Sequence, residues 1–230
     1  MTRINSGSAV TTGSRRWLAS AVLSSAVLEP LYELNRSWLA LLAFAPRYWV
    51  ANAARSRGPD PVPASLLTLP PERRAIVARC PFSLFTARFN DGAYWLGIAD
   101  NTAVHEPQPP DTDEGPRQAL GGFAELALFF AWHLSRANPP AARVVLGMAD
   151  QTLTAFEALT LTDLQRLAVS SPELVTPRWP ERSAFWLRLL ESLPESAAMT
   201  DVRLLGLQML AAEFGPDQPP EVSDRRTTRA

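Results

Sequence analysis

The 230-residue chain contains no lysine, so all 22 of its cations are arginine. An arginine-only, alanine-rich composition follows from codon usage in a GC-rich genome and carries no functional message of its own. A single cysteine, Cys80, excludes an intramolecular disulfide and suits a reducing compartment. With only two isolated histidines, His105 and His133, it cannot assemble a zinc site of the Cys/His type. No run reaches the roughly 18 to 20 apolar residues that span a bilayer. There is no phosphate-cradling glycine loop and no nucleophile with an identifiable base. Catalytic, cofactor-binding and metal-binding residues are therefore all expected to be none, and the chain is expected not to be an enzyme. A net charge of −1 argues against a protein that coats nucleic acid by charge alone.

What is present is apolar substance. Hydrophobic residues make up 47% of the chain, enough at this length for a sizeable core, which sets disorder aside as the general reading. The charge is unevenly spread. Residues 1–60 hold seven arginines against three acids, a balance of +4, whereas residues 136–214 hold seven arginines against nine acids, a balance of −2. The N-terminal end could meet an anionic surface, and the C-terminal half has no basic footprint. Ser14-Arg15-Arg16-Trp17-Leu18 has the look of a twin-arginine export signal but lacks a small-x-small cleavage site, so a cytoplasmic location is expected.

Pattern and punctuation predict a mainly α, bundle-like fold. Residues 1–14 read as a disordered N-terminus and 15–55 as an amphipathic helical region. In that region Leu31, Leu34, Trp38, Leu41 and Leu42 form an apolar stripe, with Pro30 in the first turn. The linker SRGPDPVP separates it from an aromatic unit at 64–100. There, residues 82–89 read equally as helix or extended chain, and Asn90-Asp91-Gly92 offers a turn from which 93–96 could return as the second strand of a small hairpin. Residues 103–117 form an acidic, proline-rich linker, 118–214 a C-terminal helical module, and 215–230 a disordered tail.

The module opens on the most apolar helix, 118–137, with aromatic and aliphatic residues around nearly its whole circumference. Such a helix is either central in a core or covered by another subunit. Phe130 and Trp132 are therefore candidate contact residues, and Phe130→Glu is expected to dissociate or unfold the protein. His133 lies beside them without a partner for acid or base work. Next, in ARVVLGMADQTLTAFEALTLTDLQRLA, a Leu-Gly-Met turn leads into two short amphipathic helices. Gly147 is expected to end a helix with positive φ and to set the angle of the next one. Thr160-x-x-Asp163 fits a capping box, and Arg166 is expected on the exposed face behind it. Ser183 and Thr200 are candidate caps of the last two helices. Between them and the module's middle, Arg178-Trp179 sits in a proline-framed loop, either presented as a contact hot spot or folded back as a lid.

The succession LALFFAWHLSRANPPAARVVLGMADQTLTAFEALTLTDLQRLA resembles the FlhD subunit of the bacterial flagellar transcriptional activator, at Leu146, Gly147, Leu153, Ala158, Leu159, Leu161, Leu164, Leu167 and Ala168. It covers under a fifth of the chain. The basic N-terminal helices and the aromatic unit have no counterpart in that family, whose members are roughly half this length. The resemblance implies an all-helical oligomer with a helix-turn-helix-like module, which regulates transcription with a protein partner and touches DNA largely through that partner. A second reading is an adaptor or coating protein whose basic amphipathic N-terminal helices lie on an anionic membrane or polymer.

Overall fold

A computed structural model describes residues 23–44, 64–100 and 114–213. Helix α1 spans Ser25–Phe44, beginning five residues before Pro30, which therefore lies inside the helix rather than in its first turn. Its predicted stripe is turned inward: Leu31, Trp38 and Leu42 are fully buried. The buried stripe is spent on the protein's own core, while Phe44 at the end of α1 stays exposed. The expected helices on either side of α1, and the two linkers' central parts, fall outside the described residues. No helix among the described residues is long and apolar enough to cross a membrane.

After the short helices α2 (Ala64–Leu67) and α3 (Pro71–Val77), the chain runs through irregular, bent backbone over Phe82–Leu84 into the two-residue strand β1 (Phe85–Thr86). The small hairpin does not form. Asp91 caps helix α4 (Gly92–Ala99) by accepting a hydrogen bond from the Tyr94 backbone N–H at 3.0 Å. Residues 93–96 are thus helical, and β1 pairs antiparallel with a distant strand, β2 (Thr176–Pro177), in the register Phe85 to Pro177. The turn signal was sound, but an Asx-type residue before a glycine serves a helix start as well as a hairpin.

Helix α5 spans Glu114–Ala137, so residues 114–117, assigned to the linker, are helical. Then come α6 (Pro139–Leu146), α7 (Asp150–Ala158) and α8 (Leu161–Ser170). A 3₁₀ turn over Pro172–Leu174 leads to β2, then α9 (Ser183–Glu191) and α10 (Ala197–Glu213). The capping box at Thr160 and Asp163 closes in both directions. The hydroxyl and backbone N–H of Thr160 hold the Asp163 carboxyl below its usual range. Ser183 is the first residue of α9 rather than its cap, and Thr200 lies within α10, whose start is capped instead by the Ser196 hydroxyl, accepting from Met199 N–H at 3.1 Å.

One continuous hydrophobic cluster takes residues from Val27 to Leu210. Its aromatic centre joins elements far apart in sequence: Trp38 lies 5.2 Å from Phe123, and Trp95 4.6 Å from Phe156, between ring centroids. Helices α4 and α7 approach so closely that a Cβ at Gly92 would lie 2.4 Å from Cβ of Gln151. Helix α5 is embedded on one side through Leu120, Phe123, Ala127, Leu128, Ala131 and Leu134, and open on another. Its apolar circumference is therefore only partly covered.

Candidate functional site

The predicted contact residues separate into two places. Gly147, Arg178 and Trp179 come together inside the protein. Gly147 ends α6 in the left-handed conformation, φ 68°, as predicted. A Cβ there would sit 2.6 Å from Nη1 of Arg178 and 2.8 Å from Cδ2 of Leu210, so the site needs glycine for space as well as for φ. Ending the helix leaves the Leu146 carbonyl without an intrahelical donor. Arg178, only 2% exposed, fills that need with Nη2, which also donates to Ser83 Oγ at 3.1 Å. Its Nε donates to the Phe85 carbonyl at 3.3 Å and Nη1 to Glu213 Oε2 at 3.5 Å.

Burial lowers the Arg178 pKa to about 10 while the Glu213 carboxylate opposes the shift, so the guanidinium is charged at neutral pH. Trp179 adopts φ 49°, donates its indole N–H to Glu213 and packs at 5.1 Å from Phe185. The lid reading of this loop holds, and the presented hot spot does not: both side chains face inward. A cleft of about 490 Å³ opens beside them, between Thr86, Asn90, Arg182 and Met209. Arg178 and Glu213 in its wall are already committed, to one another, to the Leu146 and Phe85 carbonyls and to the Trp179 indole, which makes this pair an internal joint between β1, α6, β2 and α10.

A second joint was missed in the sequence. Asn35, fully buried in the α1 stripe, donates Nδ2 to the carbonyls of Phe82 at 2.9 Å and Ala78 at 3.1 Å, and accepts from Leu84 N–H at 2.9 Å. It thereby satisfies the irregular backbone leading into β1. The one signal was an amide occupying an apolar position between Leu34 and Trp38.

Phe130 and Trp132 are half-buried and serve the protein's own packing. The Trp132 indole N–H donates to the Leu159 carbonyl at 2.9 Å, with the Arg136 guanidinium 4.4 Å above its ring. Phe130→Glu would thus report on folding before it reported on any partner. His133 is exposed on α5. Cys80 is buried, and desolvation pushes its thiol up to about 12 despite the opposing charge of Arg203. A thiol held protonated at pH 8 is a poor nucleophile, so native protein should react with an aromatic disulfide reagent at least about 100-fold more slowly than denatured protein. Equal rates would show that Cys80 is reachable and ionisable. No group of three potential metal ligands gathers among the described residues.

Arg166 belongs to the second place, an outward face made by α5 and α8. Leu164, Leu167 and Ala168 bind α8 to the core, and Gln165 Nε2 donates to Glu125 Oε1 at 3.0 Å between the two helices. Beyond that buried side, Leu126 is 57% exposed, Leu161 44% and Val169 68%. Arg166 lies on α8 with a side chain 69% exposed and a loose ion pair to Asp163 at 3.6 Å. Leu126 thus lies in water on α5, and Leu161 and Val169 on α8, the helix that the Gln165–Glu125 hydrogen bond joins to it. Comparison with known families, with curated proteins and with solved structures finds no match to this chain.

Proposed function

We propose that this chain is a non-enzymatic regulatory protein, of the kind the FlhD resemblance implies, that acts by protein contact through the α5–α8 face. The carrying observation is the exposure of Leu126 on α5 and of Leu161, Arg166 and Val169 on α8, two helices joined by the Gln165–Glu125 hydrogen bond. Arginine is among the residue types that concentrate binding energy. The face also carries Glu125 and Asp163, so it lacks the single-sign charge that phosphate binding demands. Any DNA contact is accordingly assigned to a partner.

The test replaces Arg166 with alanine and, as a control, Arg188 on the exposed side of α9. Both variants should fold with an unchanged melting temperature, since each side chain is solvated. Retention of the bound protein partner should fall about 10-fold for Arg166→Ala only, the loss of one charge-assisted contact. Equal retention by the two variants would remove the role given to this face. Promoter DNA titrated with the isolated chain should show no salt-dependent affinity; a steep salt slope would assign DNA binding to the chain itself.

A further inference from the structure

We propose that β1 with α4, and β2 with α9, are two copies of one strand–turn–helix unit, and that the β1–β2 pairing is the contact between the copies. An association that a one-unit protein would make with a second molecule is then made here within one chain. The inference goes beyond the reading of the α5–α8 face and does not depend on it.

The evidence is a set of backbone features that recurs residue for residue. In the first copy Arg88 adopts a left-handed backbone, φ 54°, and its carbonyl accepts from the Asp91 N–H at 2.9 Å and from the Trp95 indole N–H at 3.1 Å. Asp91 immediately precedes α4, and its carbonyl accepts the Trp95 backbone N–H at 3.3 Å. In the second copy Trp179 has φ 49°, and its carbonyl accepts from the Arg182 N–H at 3.0 Å and from the Trp186 indole N–H at 3.1 Å. Arg182 immediately precedes α9, and its carbonyl accepts the Trp186 backbone N–H at 3.3 Å. Positive φ is found in only a few per cent of residues other than glycine. Among the described residues it occurs at Arg88, Trp179 and Glu195, so two of the three instances fall at the same place in the two copies.

The side chains keep the same count. From the left-handed residue onward, Ala93-Tyr94-Trp95-Leu96 falls on Ala184-Phe185-Trp186-Leu187. Both tryptophans are fully buried, and each meets the ring before it edge-on, at 5.5 Å in the first copy and 5.6 Å in the second. Upstream, Leu84-Phe85-Thr86 falls on Leu174-Val175-Thr176. The copies differ in length at one point: Ala87 alone separates Thr86 from the left-handed residue, whereas Pro177 and Arg178 separate Thr176 from its counterpart. Arg178 is the added residue.

The two strands meet with Thr86 opposite Thr176, each residue facing its own counterpart. That is the register a two-fold axis between copies requires. An unpaired strand leaves backbone donors and acceptors open to any other chain, and here each copy supplies them to the other. The added Arg178 then reaches from the second copy to Ser83 and the Phe85 carbonyl beside the first strand, a clasp that the first copy lacks the residue to return. Pairing of unlike copies is favoured over pairing of like ones, and one chain always holds one of each.

Insertion and cross-linking in the full chain test this. An arginine inserted between Ala87 and Arg88 gives the first copy the length of the second, and should leave helical circular dichroism and the slow exchange of the Trp95 indole N–H in place. The same arginine inserted between Asn90 and Asp91 breaks the spacing from Arg88 to both of its donors, and should speed that exchange at least about 100-fold. Equal exchange in the two variants, fast or slow, overturns the equivalence of the copies. For the pairing itself, Thr86→Cys with Thr176→Cys, in a chain carrying Cys80→Ser, sets two thiols on opposed residues about 5.5 Å apart between Cα atoms, within the reach of a disulfide. Oxidised and then unfolded without reductant, this variant should migrate as a single cross-linked chain. Covalent dimers would put the pairing between molecules, and no cross-link at all would show that the two threonines are not opposed; either result overturns the proposal.

Discussion

Arg178→Ala should lower the melting temperature by about 10 °C. The guanidinium donates to the Leu146 carbonyl, the Phe85 carbonyl and Ser83 at once, and it neutralises Glu213 at the end of α10. Alanine removes the donors and leaves the acceptors buried. Breaking a buried charged cluster from one side costs about 3–5 kcal/mol. For a protein of this size each kcal/mol corresponds to about 2–4 °C. The fork geometry matters as much as the charge, because Nε and Nη2 face partners on two different elements. Arg178→Lys, which keeps the charge but brings one point of attachment, should recover less than half of the loss. If lysine restores full stability, the charge near Glu213 is all that matters and the fork account is wrong.

The second large effect is expected at Asn35. Asn35→Asp changes almost no volume but sets a carboxylate against the carbonyls of Ala78 and Phe82, where the amide had donated, while the Leu84 N–H can still be accepted. Losing buried donors in favour of a desolvated charge should cost about 4 kcal/mol or more at pH 7. The sign of the pH dependence follows. Burial among acceptors raises the folded-state pKa of the introduced acid above its unfolded value of about 3.9. The penalty is absent below that unfolded value and grows as pH rises towards the folded one, then levels off. Thermal melts of the variant and the wild type should therefore converge as pH falls from 7 towards 4. A melting difference that stays constant across that range would mean the group is solvated and the clamp is not buried as described. Asn35→Ala, which removes the bonds without adding charge, should show no such convergence.

The mainly helical character, the inward stripe of α1, the capping box at Thr160, the left-handed stop at Gly147 and the exposure of Arg166 were all legible in the residues. Each depends on contacts within one or two turns, and local spacing dictates those. Where the reading went astray, a partner far along the chain decided. The run after Gly92 is apolar enough for either a strand or a helix. It became a helix because Trp95 finds Phe156 on α7, and because Gly92 lets the two backbones close on each other at Gln151. Phe85 and Thr86 became a strand only because Thr176 and Pro177 lie beside them.

The candidate surfaces divide in the same way. An arginine and a tryptophan between prolines look identical in sequence whether they are offered to a partner or folded inward. Carbonyls left open at the end of α6 and in β1, together with the carboxylate of Glu213, drew Arg178 inside, since a buried carbonyl without a donor costs more than burying a well-paired guanidinium. An apolar circumference on α5 likewise could not say which side would be covered. Residue order by itself determined the mainly helical character and the local signals at Gly147 and Thr160, because those are settled over a few residues, whereas the helix at 92–99 and the strand at 85–86 needed partners far along the chain. Which faces were left to water, and so the exposure of Leu126, Leu161 and Val169, was decided only when α8 packed along α5, because burial is a property of the whole assembly of elements and not of any one stretch of chain.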